Sequence, residues 1–205
     1  MKITKIIFFI NIVIFTGCTP NNYEFEYETI ITDTPANLEK LNSEYDDYNS
    51  DLPYPAGRQH IYFSSNRNSN GNNFDIVSKN IDISYHKEDD ILNIAYTSDD
   101  YSSFQNKLFP IINTDNDEFG PYSYNGSQGL DYFFYANNDE SDFNIKFVYT
   151  PRLDWGTYDA QERLYGPFSL NLINSDYDDL YPTINQDRTK LYFVSRSQIS
   201  PNFCN

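Results

Sequence analysis

The distribution of hydrophobic and polar positions divides the chain into two unlike regions. Residues 6–15 form an apolar run broken only by Asn11, whereas short aromatic and aliphatic runs alternate with polar stretches from about residue 42 onward. Short runs of aromatic and β-branched residues bounded by Asn, Asp, Ser and Gly are typical of β-strands and the turns between them. The pattern therefore predicts an all-β domain behind a distinct N-terminal segment.

One polar layout occurs three times in the β region and reads aliphatic, Asn, hydroxyl, acid, any residue, Asp, acid. The asparagines at its second position are Asn42, Asn113 and Asn174. The copies therefore lie 71 and 61 residues apart. Aromatic-rich strands are predicted about twenty residues after each asparagine, at 61–65, 133–137 and 191–195.

Repetition of a strand-rich unit at this spacing favours a β-propeller, in which each unit folds as one blade of antiparallel strands. A β-sandwich also has many short strands, but it gives no reason for one turn motif to recur three times. The predicted strands of the first unit lie near 58–64, 73–80, 90–96 and 103–109.

The repeated motif resembles the TolB-type, WD40-like (PD40) β-propeller repeat. The residues that carry the resemblance are Ile61-Tyr62-Phe63-Ser64-Ser65-Asn66-Arg67, Phe74-Asp75-Ile76 and Leu191-Tyr192-Phe193-Val194-Ser195-Arg196. The second copy departs from the pattern, with Asp139 where the first has Arg67. The resemblance spans residues 42–205 and implies two full blades and the start of a third.

An incomplete set of blades leaves open strand edges, because closed propellers have about four to eight blades. We expect the chain to be a truncated or split copy of a longer propeller, with completion by a partner chain as the alternative.

Residues 1–17 have the pattern of an export signal. Lys2 and Lys5 precede an apolar run that is shorter than the roughly twenty residues needed to span a bilayer. The segment Phe15-Thr16-Gly17-Cys18 is similar to a lipobox, with Phe15 in place of the usual leucine, which implies lipidation of Cys18. A membrane anchor with an incidental cysteine is the alternative. We expect residues 18–41 to form a tether and a short helix that starts at Thr34-Pro35.

The formal charge is −16, and it becomes −18 once residues 1–17, with two lysines and no acid, are removed. Nucleic acids and anionic lipid surfaces select basic patches, so the charge argues against both as partners. We expect the acyl chains on Cys18 to hold the protein in the cell envelope, at either face of the outer membrane. Cys204 is the only other cysteine, so no intrachain disulfide is expected.

The second acidic turn has some features of a calcium loop. Asn113, Asp115 and Asp117 have the alternating oxygen spacing, but Glu118 and Tyr124 stand where the glycine and the final acid belong. Because the motif recurs in all three copies, we favour turn side chains that bond backbone N–H groups, and we expect no metal or cofactor.

Three further residues are candidate ligand contacts. Arg67 and Arg196 follow aromatic strands and could bind an anion, although an ion pair with a neighbouring acidic turn is the favoured interpretation. Trp155 lies in a long insertion, where it could stack on a sugar ring, anchor a protein partner, or pack beneath its own loop.

No catalytic set stands out in the sequence. His60, expected to be exposed at the start of a strand, and His86, in a polar run, have neither a nearby Ser or Cys nucleophile nor a metal-ligand spacing. No pair of acids is singled out as in a glycosidase. We therefore expect a non-catalytic, membrane-anchored scaffold that binds a protein or a glycan. The alternatives are an envelope enzyme or accessory domain acting on glycans or peptides, and a remnant of a longer propeller.

Overall fold

The computed structural model describes residues 37–54, 56–88, 91–125, 130–139, 141–151, 163–187 and 189–196, which form three antiparallel sheets. Blade 1 consists of β1 (Asp47–Asp51), β2 (Gly57–Ser65), β3 (Asp75–His86) and β4 (Ile91–Ser98). Blade 2 consists of β5 (Glu118–Asn125), β6 (Leu130–Asn137), β7 (Asn144–Pro151) and β8 (Tyr165–Ser169). Blade 3 consists, within the described residues, of β9 (Asp179–Ile184) and β10 (Leu191–Ser195). Helix α1 (Ser103–Ile112) connects blades 1 and 2, and a short 3-10 helix covers Arg67–Ser69.

The fold class predicted from the sequence is confirmed: the domain is all-β and consists of incomplete propeller-like blades. In each blade, strands that are consecutive in the chain are hydrogen-bonded neighbours. The first strands of the three blades, β1, β5 and β9, lie next to one another. This is the arrangement of blades around a common axis, and it is open in the part of the chain that the structure describes.

The predicted strand at 103–109 is wrong, because these residues belong to α1. Ser102 caps the helix, since its side chain accepts from the Gln105 backbone N–H while the Gln105 side chain accepts from the Ser102 N–H. The apolar residues Phe104, Leu108 and Ile112 follow at helical spacing and face the core. The fourth strand of blade 1 is instead β1, which begins at the last acid of the motif. The described end of the expected short helix, 38–42, is a single hydrogen-bonded turn.

Each first strand contains the same β-bulge. The third residue of β1, β5 and β9 has a positive φ: Asn49 at 54°, Gly120 at 60° and Tyr181 at 57°. The pairing with the second strand shifts at this point in all three blades. The bulges also bring neighbouring blades together, because a Cβ on Gly120 would lie 2.9 Å from the Tyr181 Cα. A bulge of this kind bends the strand and increases its twist.

The main core lies between blades 1 and 2. It joins Tyr62 and Ile76 of blade 1 to Phe133, Tyr135 and Val148 of blade 2, with one side of α1 packed among them. A second contact is a row of aromatic rings that crosses from blade to blade, with centroids 4.7–5.5 Å apart. Its members are Tyr48, Phe74, Phe119 and Phe143.

Candidate binding cleft

The acidic motif forms one corner structure in all three copies. Its hydroxyl residue donates to the last acid four residues later, from both backbone and side chain: Ser43 to Asp47, Thr114 to Glu118 and Ser175 to Asp179. The same hydroxyl accepts the backbone N–H two residues on. The corner is thus held by its own side chains, as expected of a turn motif.

The asparagine of the motif attaches each blade to the one before it. Asn113 accepts the Ile76 N–H at 2.9 Å and donates to the Ile76 carbonyl at 2.9 Å. Asn174 makes the same pair of bonds to Ile145, at 3.0 and 3.1 Å. Asp117 accepts the Phe74 N–H at 2.9 Å. Asn113 and Asp117 therefore bond backbone N–H groups, as the sequence predicted. The backbone they bond belongs to the preceding blade.

The remaining metal candidate, Asp115, contributes its backbone carbonyl to the Asn73 side chain. Among the described residues, no group of three or more His, Cys, Asp or Glu side chains is placed to hold a metal ion. Asn113 and Asp117 already use side-chain oxygens between the blades, so a cation there would have to displace these bonds.

Arg67 binds the corner of its own blade. Its guanidinium donates to the Asp47 carboxylate at 2.7 Å, the Leu41 carbonyl at 2.8 Å and the Ser65 hydroxyl at 2.9 Å. It also lies 5.0 Å from the Phe63 ring centroid. Burial acts to raise the pKa of Asp47, but hydrogen bonds from Ser65, Arg67 and the Ser43 backbone hold that pKa below its usual value. The ion pair favoured from the sequence is therefore present, and a ligand contact by Arg67 stays a prediction.

Arg196 is placed differently from Arg67. The register aligns it with Asn66 and Asn138, and its backbone N–H donates to the Asp178 carbonyl at 3.0 Å. Its guanidinium is 83% exposed and lies 3.8 Å from the Asp178 carboxylate. It remains a candidate contact for an anion. Trp155, Cys18 and Cys204 lie outside the described residues.

The second corner lacks an arginine. Glu118 is fully buried and accepts from Thr114 and from the Asn137 side chain, each at 2.7 Å. Neither of these described partners carries a positive charge. Burial raises the pKa of Glu118 to about 7, despite the opposing effect of the Thr114 and Asn137 hydrogen bonds. The motif predicts an acid at position 118 but not its burial without an arginine partner.

A cleft of about 270 Å³ opens between blades 1 and 2, and we call it the tyrosine cleft. Tyr54, Tyr124 and Tyr132 supply aromatic surface, and Arg58, Gln59, His60, Ser123 and Asp131 supply polar groups. Tyr62, Phe104, Phe133 and Pro53 complete its lining. Apolar and aromatic walls with a few convergent polar groups are typical of small-molecule sites, and this cleft is at the small end of their size range.

Hydrogen bonds hold the cleft residues in place. Gln59 is buried and pairs with the Tyr54 backbone, accepting its N–H at 2.9 Å and donating to its carbonyl at 2.7 Å. The Tyr62 hydroxyl accepts from Gln105 of α1 at 2.6 Å. Ser123 donates from its N–H and hydroxyl to Asp51, at 2.8 and 2.5 Å. Residues of β1, β2, β5 and α1 are therefore fixed relative to one another around the cleft.

His60 is half-buried in the cleft rather than exposed, which corrects the expectation for it. The side chains of His60 and Tyr62 lie on the same face of β2, which is the face that blade 1 turns toward blade 2. Their ring centroids are 6.2 Å apart. Its Nδ1 atom is buried and has no hydrogen-bond partner among the described residues. Burial lowers the pKa of His60, opposed by a hydrogen bond with Asn80, so the imidazole is neutral at pH 7. The ring can accept or donate a hydrogen bond but does not attract anions.

The sequence did not predict this cleft, because most of its lining residues lie outside the repeated motif and come together only in the fold. Searches against protein-family models, curated proteins and solved structures find no match to this chain. Within the described ranges, no helix has the length and hydrophobicity required to cross a membrane.

Proposed function

We propose that the protein is a non-catalytic glycan-binding scaffold of the cell envelope, anchored through a lipid on Cys18 and related to TolB-type propeller repeats. The observation that carries the binding role is the tyrosine cleft. Tyr54, Tyr124 and Tyr132 lie in its lining, and the half-exposed Tyr54 offers aromatic surface to the apolar face of a sugar. Gln59, His60 and Ser123 add polar groups to the same lining.

The charge of the cleft favours a neutral ligand. The chain has an excess of acids, and the neutral His60 leaves Arg58 as the cationic side chain in the cleft lining. An anionic polymer would be repelled by the overall charge. A mono- or disaccharide unit fits the volume of the cleft better than a folded protein surface does.

The contacts of the cleft also favour binding over catalysis. The Ser123 hydroxyl donates to Asp51, and His60 interacts with Asn80 instead of with a serine. A serine nucleophile is usually activated by an imidazole within hydrogen-bond reach, and His60 does not contact Ser123 in this way.

A glycan array with the detergent-solubilised full chain, followed by calorimetric titration, tests the proposed ligand. We expect Tyr54→Ala to weaken binding of the selected sugar about tenfold or more, since it removes a half-exposed ring from the cleft. The matched control is Tyr177→Ala, which removes a tyrosine of similar exposure outside the cleft. Equal affinity of the two variants would exclude the cleft as the site.

The anchor is tested separately. Cys18→Ala should abolish incorporation of an alkyne-labelled fatty acid and release the protein from the membrane fraction. Labelling that persists in this variant would contradict lipidation at Cys18. Neither result depends on whether the tyrosine cleft binds a sugar.

A further inference from the structure

We propose that the corner of blade 1 binds an extended Phe-Asx-Ile segment of another polypeptide. Both interfaces between described blades are built on such a contact. Residues 74–76 of blade 1 bind the corner of blade 2, and residues 143–145 of blade 2 bind the corner of blade 3. Blade 1 has the same corner, and no blade of the described chain precedes it.

Four hydrogen bonds make each of these contacts. Between blades 1 and 2, the Asn113 amide bonds both the N–H and the carbonyl of Ile76, each at 2.9 Å. Asp117 accepts the Phe74 N–H at 2.9 Å, and the Glu118 N–H donates to the Phe74 carbonyl at 2.7 Å. Between blades 2 and 3 the same four bonds measure between 2.7 and 3.3 Å, and their members are Asn174, Asp178, Asp179, Phe143 and Ile145. A corner thus bonds the backbone of the first and third residues of the segment.

The corner of blade 1 has the same bonding groups, and they are exposed. By their positions in the motif, these groups are Asn42, Asp46 and the Asp47 N–H. Asn42 and Asp46 are exposed, whereas the matching asparagines and aspartates of the other two corners are half-buried. Within the described residues, Asn42 donates only to Asn37, and the Asp46 carboxylate has no partner. Because Ser43 and Asp47 already hold this corner in the common shape, binding does not require it to be ordered first.

Tyr48 provides an aromatic contact for the first residue of the segment. Between blades 1 and 2, the Phe74 ring centroid lies 4.7 Å from that of Phe119, the second residue of β5. Tyr48 is the second residue of β1, and it contacts Phe74 of its own blade as Phe119 contacts Phe143. The Tyr48 side chain is nevertheless 49% exposed. A phenylalanine at the start of a bound segment would cover Tyr48 as Phe74 covers Phe119.

A groove of about 200 Å³ lies where the isoleucine of the segment would be placed. Between blades 1 and 2, the fully buried Ile76 belongs to a cluster with residues of α1 and β6, namely Phe109, Ile112, Phe133 and Tyr135. Motif position and strand register match these four to Leu38, Leu41, Ile61 and Phe63. All four matching residues line the groove, together with Asn42 and Tyr48. An aliphatic side chain whose backbone is bonded by Asn42 would therefore enter the groove, which shares no lining residue with the tyrosine cleft.

A separate polypeptide is the occupant that fits these contacts. In a second copy of the chain, the segments 74–76 and 143–145 are already bonded by that copy's own corners. The partner is therefore an extended segment with free backbone groups, an aromatic first residue and an aliphatic third residue. Backbone hydrogen bonds with pockets for alternate side chains are a common mode of peptide recognition.

The test uses a fluorescent peptide with the sequence of residues 74–82 and the detergent-solubilised full chain. We expect the peptide to bind, and we expect Asn42→Ala in the protein to weaken binding about tenfold or more, since it removes two of the four hydrogen bonds. Asp46→Ala should also weaken binding, whereas the matched control Glu44→Ala, with the same change of charge at another exposed position of the corner, should not. A peptide with Ile76→Ala should bind about tenfold more weakly, because it loses the side chain that fills the groove.

Three results would overturn the proposal. The first is absence of binding, and the second is equal binding of the peptide to Asn42→Ala and to the parent, which would place the peptide elsewhere. The third comes from the full chain with a photoreactive benzoylphenylalanine in place of Tyr48, which should cross-link to the peptide. A cross-link to residues 1–36 instead would assign the corner to this chain itself, and a cross-link to a second copy would identify a dimer interface.

Discussion

Blades 1 and 2 have the same strand order and the same corners, but the faces they turn toward the next blade are opposite in character. The blade 1 face carries His60, Ser78 and Asn80 around Tyr62, and α1 covers it. The matching positions of blade 2 are Tyr132, Phe147 and Tyr149 around Phe134. Their rings form a ladder with Tyr165 and Phe168, and neighbouring centroids are 5.1–6.3 Å apart.

The difference shows which parts of the repeat are constrained. The corners are retained because they satisfy backbone groups between blades, and a buried N–H or carbonyl without a partner is costly. The faces can diverge because each needs only to match what packs on it. Blade 1 therefore has a polar face for the capped helix and the tyrosine cleft, whereas blade 2 has an aromatic face.

The largest effect is expected at the bulge. Gly120→Ala should lower the free energy of unfolding by about 4 kcal/mol, because the new Cβ would lie 2.9 Å from the Tyr181 Cα at a φ of +60°. Asn49→Ala, the same bulge position in blade 1, should cost only about 1 kcal/mol, since asparagine already tolerates this φ and only that tolerance is lost. Chemical denaturation of the two variants measures the difference. Equal losses would mean that the bulge in β5 does not pack on β9.

The corners of blades 1 and 2 should differ in how pH affects their contribution to stability. The pKa of Glu118 is raised from 4.5 to about 7 by burial, so between these pH values the unfolded chain loses its proton while the folded chain keeps it. Stability contributed by this group therefore falls as pH rises, by roughly 3 kcal/mol in total. The free energy of unfolding of Glu118→Gln, relative to that of the parent, should therefore increase by about that amount from about pH 4 to pH 8 in denaturant titrations.

Asp47→Asn is the control for this pH dependence. Because the pKa of Asp47 is lowered from 3.8, its ionised form stabilises the fold above that pH, and this contribution is lost as pH falls further. The difference between this variant and the parent should thus be flat above about pH 4. If the difference in unfolding free energy between Glu118→Gln and the parent is also independent of pH in this range, Glu118 is not neutral in the folded protein.

A smaller effect is expected for the asparagine that joins the blades. Asn113→Ala should cost about 2 kcal/mol, because it leaves the Ile76 N–H and carbonyl without their partner. Asn42→Ala removes the same motif position in the first copy, where the side chain donates to Asn37 at an exposed site. It should cost less than about 0.5 kcal/mol. Similar unfolding midpoints for the two variants would show that the asparagine acts within its own corner.

The sequence was informative where the repeat is carried by side chains. The acidic corners and the aromatic strands β2, β6 and β10 follow from residue types that recur in the same order. β1 was not predicted, because Asp47-Tyr48-Asn49-Ser50-Asp51 is polar and its extended shape depends on pairing with β2. The tyrosine cleft could not be predicted, because Tyr54 and Tyr124 are far apart in the sequence and line one cleft only in the folded chain.

Helix α1 is the element whose signals were present and misread, and it carries the smallest predicted effect. A strand was expected over 103–109, but the reciprocal bonds of Ser102 and Gln105 mark a helix start. Ser102→Ala should lower the unfolding free energy by about 1 kcal/mol, the usual cost of losing an N-cap. Ser102→Asp should retain most of it, because a carboxylate also accepts the Gln105 N–H. If the two variants have the same unfolding free energy, the capping bond does not stabilise the helix. The packing of α1 on the polar face of blade 1 would then depend on other contacts.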